Sequence, residues 1–149
     1  MHFGRRTRRI GRMIVGFLAG AVAASFFLHL SLVLWMEPAE RDWSIVFSLN
    51  APITILLGAM IIAVDSAIVA LPVILLMERY QMHGWLAYVA AGILAAFVSY
   101  ALLWLMRGGS AATVFAPLLL AWMAGAGAVA GLTYWIVAGR QPIATGEPR

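Results

Sequence analysis

The segment APITILLGAMIIAVDSAIVALPVILLM, residues 51–77, has 27 residues and a single charged side chain, that of Asp65. As a helix at 1.5 Å per residue it would be about 40 Å long, enough to cross a hydrocarbon core of about 30 Å with some tilt. An aspartate in mid-span costs roughly 2.5–3.5 kcal/mol on insertion, which the surrounding Leu, Ile and Val residues more than offset. The segment therefore predicts a membrane-spanning helix.

Three further apolar runs of similar length occupy residues 13–36, 85–106 and 114–138. Hydrophobic residues make up 64% of the 149-residue chain and charged residues 11%, which lies outside the range of soluble globular domains. No run shows the alternating polarity of a transmembrane β-strand. We expect an all-α fold, an integral membrane four-helix bundle, with a basic segment at 1–12, one membrane domain at 13–138 and a short tail at 139–149.

The basic residues are all arginines, and their positions predict the orientation of the chain. Five of them lie beside the first span, where such a cluster is retained on the cytoplasmic side: Arg5, Arg6, Arg8, Arg9 and Arg12. Eight of the ten arginines then fall inside and two, Arg41 and Arg107, outside. Both termini are therefore expected to be cytoplasmic, in a multi-pass protein of a bacterial inner membrane.

The same arginine cluster is open to other interpretations. It could bind anionic lipid headgroups, although orienting the first helix is sufficient to explain it. It is too short for a nucleic-acid site and lacks interleaved aromatic residues. An apolar run that continues to Met36 favours an uncleaved first span over a removable targeting peptide.

Residue types that carry catalysis or bind cofactors are scarce. The chain has no cysteine, which excludes disulfides and cysteine-ligated metals. It has no glycine-rich phosphate loop, no paired carboxylates and no histidine cluster with ligand spacing. His29 could ligate haem only with a second histidine at a suitable depth on another helix, and none is present. We expect no enzymatic activity, no cofactor and no metal site.

Small residues at helical spacing predict where the helices pack, because membrane helices associate through close backbone approach and interhelical hydrogen bonds. Gly16 and Gly20 form one such face, with Ser25 and His29 nearly opposite. The last span carries Gly125 on one side, with Gly127 and Gly131 on another. Since both sides of each helix favour contact with protein, the pattern predicts a homo-oligomer or another membrane subunit as partner, within the lipid bilayer.

The second span has a stripe in which Gly58, Asp65 and Pro72 recur every seven residues, continued by Ala51 and Arg79 at its ends. A small residue, an acid and a helix breaker on one stripe indicate a face that points inward. Pro72 cannot donate to the carbonyl one turn earlier, so we expect a helix kink. A polar pocket at mid-membrane is the resulting hypothesis, with these candidate members: Asp65, His29, Tyr100, Ser99 and Ser25.

Two interpretations of this pocket remain open. Asp65 could fix helix register through a hydrogen bond across the bundle, or it could exchange protons or bind a cation on a transport path. The sequence favours the first interpretation, because Asp65 has few polar companions. We therefore expect a non-enzymatic accessory or structural subunit that acts through helix packing. The alternative is a small proton- or cation-coupled transporter that uses Asp65 and works as an oligomer.

The segment GAVAGLTYWIVAGR (127–140), preceded by Gly125, has a glycine-rich face followed by Tyr134, Trp135, Gly139 and Arg140. It resembles the last span of small four-helix bacterial inner-membrane proteins that have no assigned function, so the resemblance implies a fold and a location but no functional residues. Small multidrug transporters also have four spans and a membrane acid. Theirs lies in the first helix, whereas Asp65 lies in the second.

Overall fold

The computed structural model describes residues 3–36, 43, 49–80, 84–106 and 117–139. Arg41, Arg107 and the tail 140–149 lie outside the described residues. The described chain forms four α-helices: α1 Phe3–Trp35, α2 Ala51–Arg79, α3 Trp85–Met106 and α4 Pro117–Tyr134, the last continued by a π-helical segment at Trp135–Gly139. Each of the four is long and apolar enough to cross a membrane, which confirms the predicted all-helical architecture.

The helix ends follow local chemistry. Asn50 precedes α2, and its carbonyl accepts the amides of Ile53 and Thr54, both at 3.1 Å. Proline stands in the first turn of α2, at Pro52, and is the first residue of α4, at Pro117, where a missing N–H leaves no helical bond unmade. The predicted start of the last span at residue 114 lies outside the described residues.

The first helix is longer than the sequence predicts. It begins at Phe3 instead of residue 13, so that the backbone of the basic segment forms the first turns of α1. Arginine is a good helix former, and the end of an apolar run does not itself stop a helix. At 1.5 Å per residue α1 is about 50 Å long, which exceeds the thickness of about 30 Å of a hydrocarbon core.

The helices form a ring in sequence order, in which α1 contacts α2, α2 contacts α3, α3 contacts α4 and α4 contacts α1. Neighbours run antiparallel. Gly16 of α1 lies beside Ala138, which follows α4, while Gly125 in the first half of α4 lies against Phe27 farther along α1. The start of α1 and the end of α4 therefore lie at the same end of the bundle, which we call the terminal end. The opposite one is the distal end.

Glycines of α4 and its neighbours set the closest approaches. A Cβ atom at Gly127 would lie 2.5 Å from the carbonyl oxygen of Gly92 and 2.8 Å from the Cα of Ile93 on α3, and one at Gly20 would lie 3.0 Å from the carbonyl oxygen of Ala130. Such contacts require a hydrogen in place of a side chain, as is usual where membrane helices pack closely. Helix α4 is thus held by backbone contact on two sides.

Candidate functional site

A cavity of about 250 Å³ lies between the four helices, and we call it the central cavity. Its walls include Gly20 of α1, Asp65 of α2, Tyr100 of α3 and Ala126 of α4. Along α3 the lining runs from Tyr88 to Leu103, a length of about 22 Å at the helical rise. The cavity is therefore long and narrow and extends through much of the bundle.

The polar side chains of the central cavity are concentrated towards its distal half. Asp65 and Ser66 of α2 and Ser99 and Tyr100 of α3 line it there. Asp65 is half-buried and is the one charged residue among the described lining residues. Asp65, Ser99 and Tyr100, which are predicted to form one mid-span group, thus line the same cavity from α2 and α3.

Two of these groups lack the partners that buried hydroxyls normally find. The Ser99 Oγ and Tyr100 OH atoms are shielded from solvent and have no hydrogen bond within the described residues. Ser66 differs, because its Oγ donates to the carbonyl of Ile62 at 2.6 Å within α2. Burying an unpaired hydroxyl costs about 1–3 kcal/mol. Ser99 and Tyr100 therefore each carry this cost within the described structure.

Ser25 and His29 form a different cluster, which corrects their predicted grouping with Asp65. The Ser25 hydroxyl, 1% exposed, donates to the carbonyl of Ile55 at 2.8 Å. The His29 ring is 2.8 Å from the Ser25 carbonyl through Nδ1, and both side chains pack on Gly58. Neither residue lines the central cavity. They join α1 to α2 because Gly58 leaves room for them.

The stripe along α2 does not stay on one face. Ala51 is 2% exposed, Gly58 and Asp65 are half-buried, and Pro72 and Arg79 are exposed. A straight helix drifts by about 20° for every seven residues, so the stripe turns by about 80° between Ala51 and Arg79. The prediction that the whole stripe points inward is therefore wrong beyond Asp65.

Pro72 does not contribute to the cavity. It lies on the outer side of α2, which remains helical from Ala51 to Arg79. The carbonyl left without its helical donor belongs to Ile68, which is 79% exposed. The polar group freed by the proline thus belongs to an exposed residue that does not line the central cavity, whereas Asp65 does.

The predicted glycine faces are all covered by helices of the same chain. Gly16 and Gly20 pack on the end and middle of α4, Gly125 packs on Phe27 of α1, and Gly127 and Gly131 pack on α3. The opposite side of α1 is covered by α2 through Ser25 and His29. Two-sided packing therefore follows from the ring arrangement and does not by itself require a second chain.

The sequence interpretation missed three packing residues. Tyr88 and Tyr134, at 8% and 5% exposure, stack with ring centroids 5.6 Å apart, although tyrosines at helix ends predict an interfacial position. They form a cluster with Ile74 and Met77 at the terminal end of the central cavity. Gly92 is the α3 partner of Gly127. The sequence signal for this packing face is the spacing of four residues between Tyr88 and Gly92 and between Gly92 and Ala96.

In the described parts of the chain, few side chains could bind a metal ion or a lipid headgroup. No group of three or more His, Asp or Glu side chains there could hold a metal ion. The backbone of Arg5, Arg6, Arg8 and Arg9 lies in the first turns of α1, and the side chain of Arg12 is exposed. Arg12 thus stands beyond the terminal end of the cavity, at a position suited to a headgroup layer.

Comparison of the chain with protein-family models, with curated proteins and with solved structures found no match. The resemblance of the last helix to small four-helix inner-membrane proteins therefore stays a prediction. The candidate site rests on its own geometry.

Proposed function

We propose that this protein is a small multi-pass membrane transporter in which Asp65 binds and releases a proton or another cation. The observation that carries the proposal is the position of Asp65 on the wall of a long cavity that all four helices line. An ionisable residue inside a membrane helix is costly and usually marks an ion or substrate pathway. Both termini lie on the cytoplasmic side in this proposal, following the arginine cluster of α1.

The surroundings of Asp65 support ion binding over a purely structural role. An aspartate that fixes helix register would be held by a hydrogen bond across the bundle. The hydroxyl groups next to Asp65 in the sequence and on the cavity walls make no such bond with it. Ser99 Oγ and Tyr100 OH are unpaired, and Ser66 Oγ is bonded within its own helix. The helix-fixing hydrogen bond between α1 and α2 is made by Ser25 instead.

One argument for a partner subunit carries less weight in this proposal. It used the small-residue and polar faces on both sides of α1 and α4, and those faces pack within the chain. One chain also supplies all the described walls of the cavity. Assembly into oligomers is compatible with the proposed transport but is not needed to build the site.

Proton flux through purified protein in lipid vesicles tests this function. Vesicles that contain a pH-sensitive dye are given an inside-negative potassium diffusion potential, and internal acidification is followed. We expect the protein to acidify the vesicles faster than protein-free vesicles do. Asp65→Asn keeps the size of the side chain and removes the ionisable proton, so the rate should fall to that of protein-free vesicles. Asp65→Glu keeps the carboxyl group and should retain flux.

Thr54→Val is the matched control on the same helix. Thr54 is exposed, and its hydroxyl bonds to the Ala51 carbonyl at 3.0 Å, so the change removes a polar group that does not line the cavity. Flux should be unchanged. A wild-type rate equal to that of empty vesicles, or an Asp65→Asn rate equal to the wild-type rate, contradicts the proposal.

A further inference from the structure

We infer that the central cavity binds a small apolar molecule that carries a protonated amine, with the ammonium group at Asp65 and the apolar part along the cavity walls. The inference rests on the proposed function, because it names the cation that shares Asp65 with the proton. It specifies the ligand more narrowly than ion binding does, and its parts are tested separately below.

Charge is the first argument. Among the described residues that line the cavity, Asp65 is charged and no arginine or histidine is present. A carboxylate inside a low-dielectric cavity is stable only when it is neutralised or paired. Since no described residue on these walls supplies a positive partner, either a bound proton or a cationic occupant has to neutralise Asp65.

The second argument excludes a bare metal cation as the preferred occupant. Hard cations such as Ca²⁺ take six to eight oxygen ligands. The polar lining offers the Asp65 carboxylate and the hydroxyls of Ser99 and Tyr100 near it, while Ser66 already donates to Ile62. The other walls are mainly Gly, Ala, Leu, Ile and Met side chains, which cannot replace a hydration shell.

The third argument concerns N–H groups. An ammonium ion with at least one N–H donates a hydrogen bond to a carboxylate, whereas a quaternary ammonium ion has no donor. Asp65 is the charged acceptor among the described lining residues, so the polar end of the cavity favours a protonated amine over a permanent cation.

The fourth argument is size. The cavity, at about 250 Å³, is slightly smaller than the range of about 300–1,000 Å³ typical of drug-sized ligand sites. It suits one aromatic ring or a short branched chain with an amine. The apolar part would lie on Ala95 and Ala126, towards the cluster of Ile74 and Met77 that closes the terminal end.

Equilibrium dialysis against the full chain in lipid nanodiscs tests the inference, with empty nanodiscs as the reference for partition into lipid. Three probes of nearly equal shape are used: benzyldimethylamine, which is protonated at neutral pH; benzyltrimethylammonium, a cation without N–H; and isobutylbenzene, a neutral molecule. We expect the amine to bind at least about 10-fold more tightly than either of the others, the increment of one charge-assisted hydrogen bond.

Variants locate the binding. Asp65→Asn should lower amine affinity to that of isobutylbenzene. Ala95→Leu keeps Asp65 and takes up part of the cavity, so it should weaken binding of all three probes even if Asp65→Asn fails to fold. Thr54→Val should bind like the wild type.

The outcomes separate this inference from the proposed function. Equal binding of isobutylbenzene and the amine, full amine binding by Asp65→Asn, or equal binding of the two cations overturns the inference. Asp65-dependent proton flux without a preference for the amine leaves the transport function in place and refutes the ligand class. Amine binding at Asp65 without any proton flux shows that the site is right and that the transport proposal is wrong.

Discussion

Small and polar residues have different roles on the two sides of α4 and on the wall of α2 that carries Asp65. Around α4, glycines bring backbones into direct contact, and a Cβ atom at Gly20, Gly127 or Gly131 would meet the carbonyl or backbone of a neighbouring helix. Along α2, Asp65 and Ala70 face a space of about 250 Å³. Helices α1, α3 and α4 therefore form a close-packed unit, and α2 closes a cavity against it.

The comparison shows that a small side chain in a membrane-type helix is ambiguous until its neighbour is known. Where a glycine contacts the backbone of a neighbouring helix, a larger side chain cannot replace it without separating the two helices. Where no helix follows, the same small residue leaves room for a ligand. Four substitutions test the contrast, in order of decreasing expected effect.

The largest effect is expected for Gly131→Ala. Its Cβ would overlap the Tyr88 carbonyl oxygen and lie 3.1 Å from the Cα of Val89, so α3 and α4 would have to move apart. Overpacking of this kind costs about 1–3 kcal/mol, and backbone contact places this site at the upper end. Unfolding in mixed detergent micelles measures the loss. Gly11→Ala is the control, because nothing lies within 4 Å of a Cβ there; equal losses would refute the contrast.

Ser25→Ala removes the donor to the Ile55 carbonyl that joins α1 to α2. Interhelical hydrogen bonds in membrane proteins contribute about 0.6 kcal/mol on average and up to about 1.7, and the burial of Ser25 argues for about 1 kcal/mol here. The same unfolding assay applies. Ser66→Ala, which removes a bond within one helix, should cost less, and a larger loss for Ser66→Ala would show that the α1–α2 bond is unimportant.

Ala95→Leu adds more atoms than Gly131→Ala and should nevertheless cost less than about 1 kcal/mol, because the added side chain enters space that is already empty. Ala95 lines the central cavity, whereas Ala90 on the same helix is exposed. Ala90→Leu is therefore the control for added bulk. A loss for Ala95→Leu as large as that for Gly131→Ala would mean that the cavity is not open in the folded protein.

Asp65→Asn should change the free energy of unfolding by less than about 0.5 kcal/mol, as is usual where no specific contact is removed. The unfolding assay with the variant in detergent measures it, beside Asp65→Glu. A loss comparable with that of Ser25→Ala would restore the structural interpretation of Asp65 and would weaken the transport proposal.

The predicted glycine contacts illustrate how far sequence periodicity reaches. Gly16 with Gly20 and Gly127 with Gly131 are packing faces as predicted, because residues four apart share a face of any helix. The helix that packs on each face was not predictable, because a face of small residues can pack equally well on α3 of the same chain and on a helix of a second copy. The same ambiguity produced the expectation that Ser25 and His29 would join Asp65, when Gly58 receives them.

The cavity was predictable only in part. The sequence predicts Asp65, Ser99 and Tyr100 as members of one polar pocket, and they line the central cavity. Pro72 is predicted with them from its spacing of seven residues, but it is exposed and does not line the cavity. Tyr88 and Tyr134 lie near helix ends, where tyrosine favours a membrane interface, but they are buried and stack on each other inside the bundle.

The sequence by itself determined the four apolar helices, their approximate limits and the faces on which glycines permit close approach, because apolar length and helical periodicity act locally along the chain. The tertiary structure decided which faces meet and which leave space. That choice depends on the ring order of the helices, which is not encoded within a single helix.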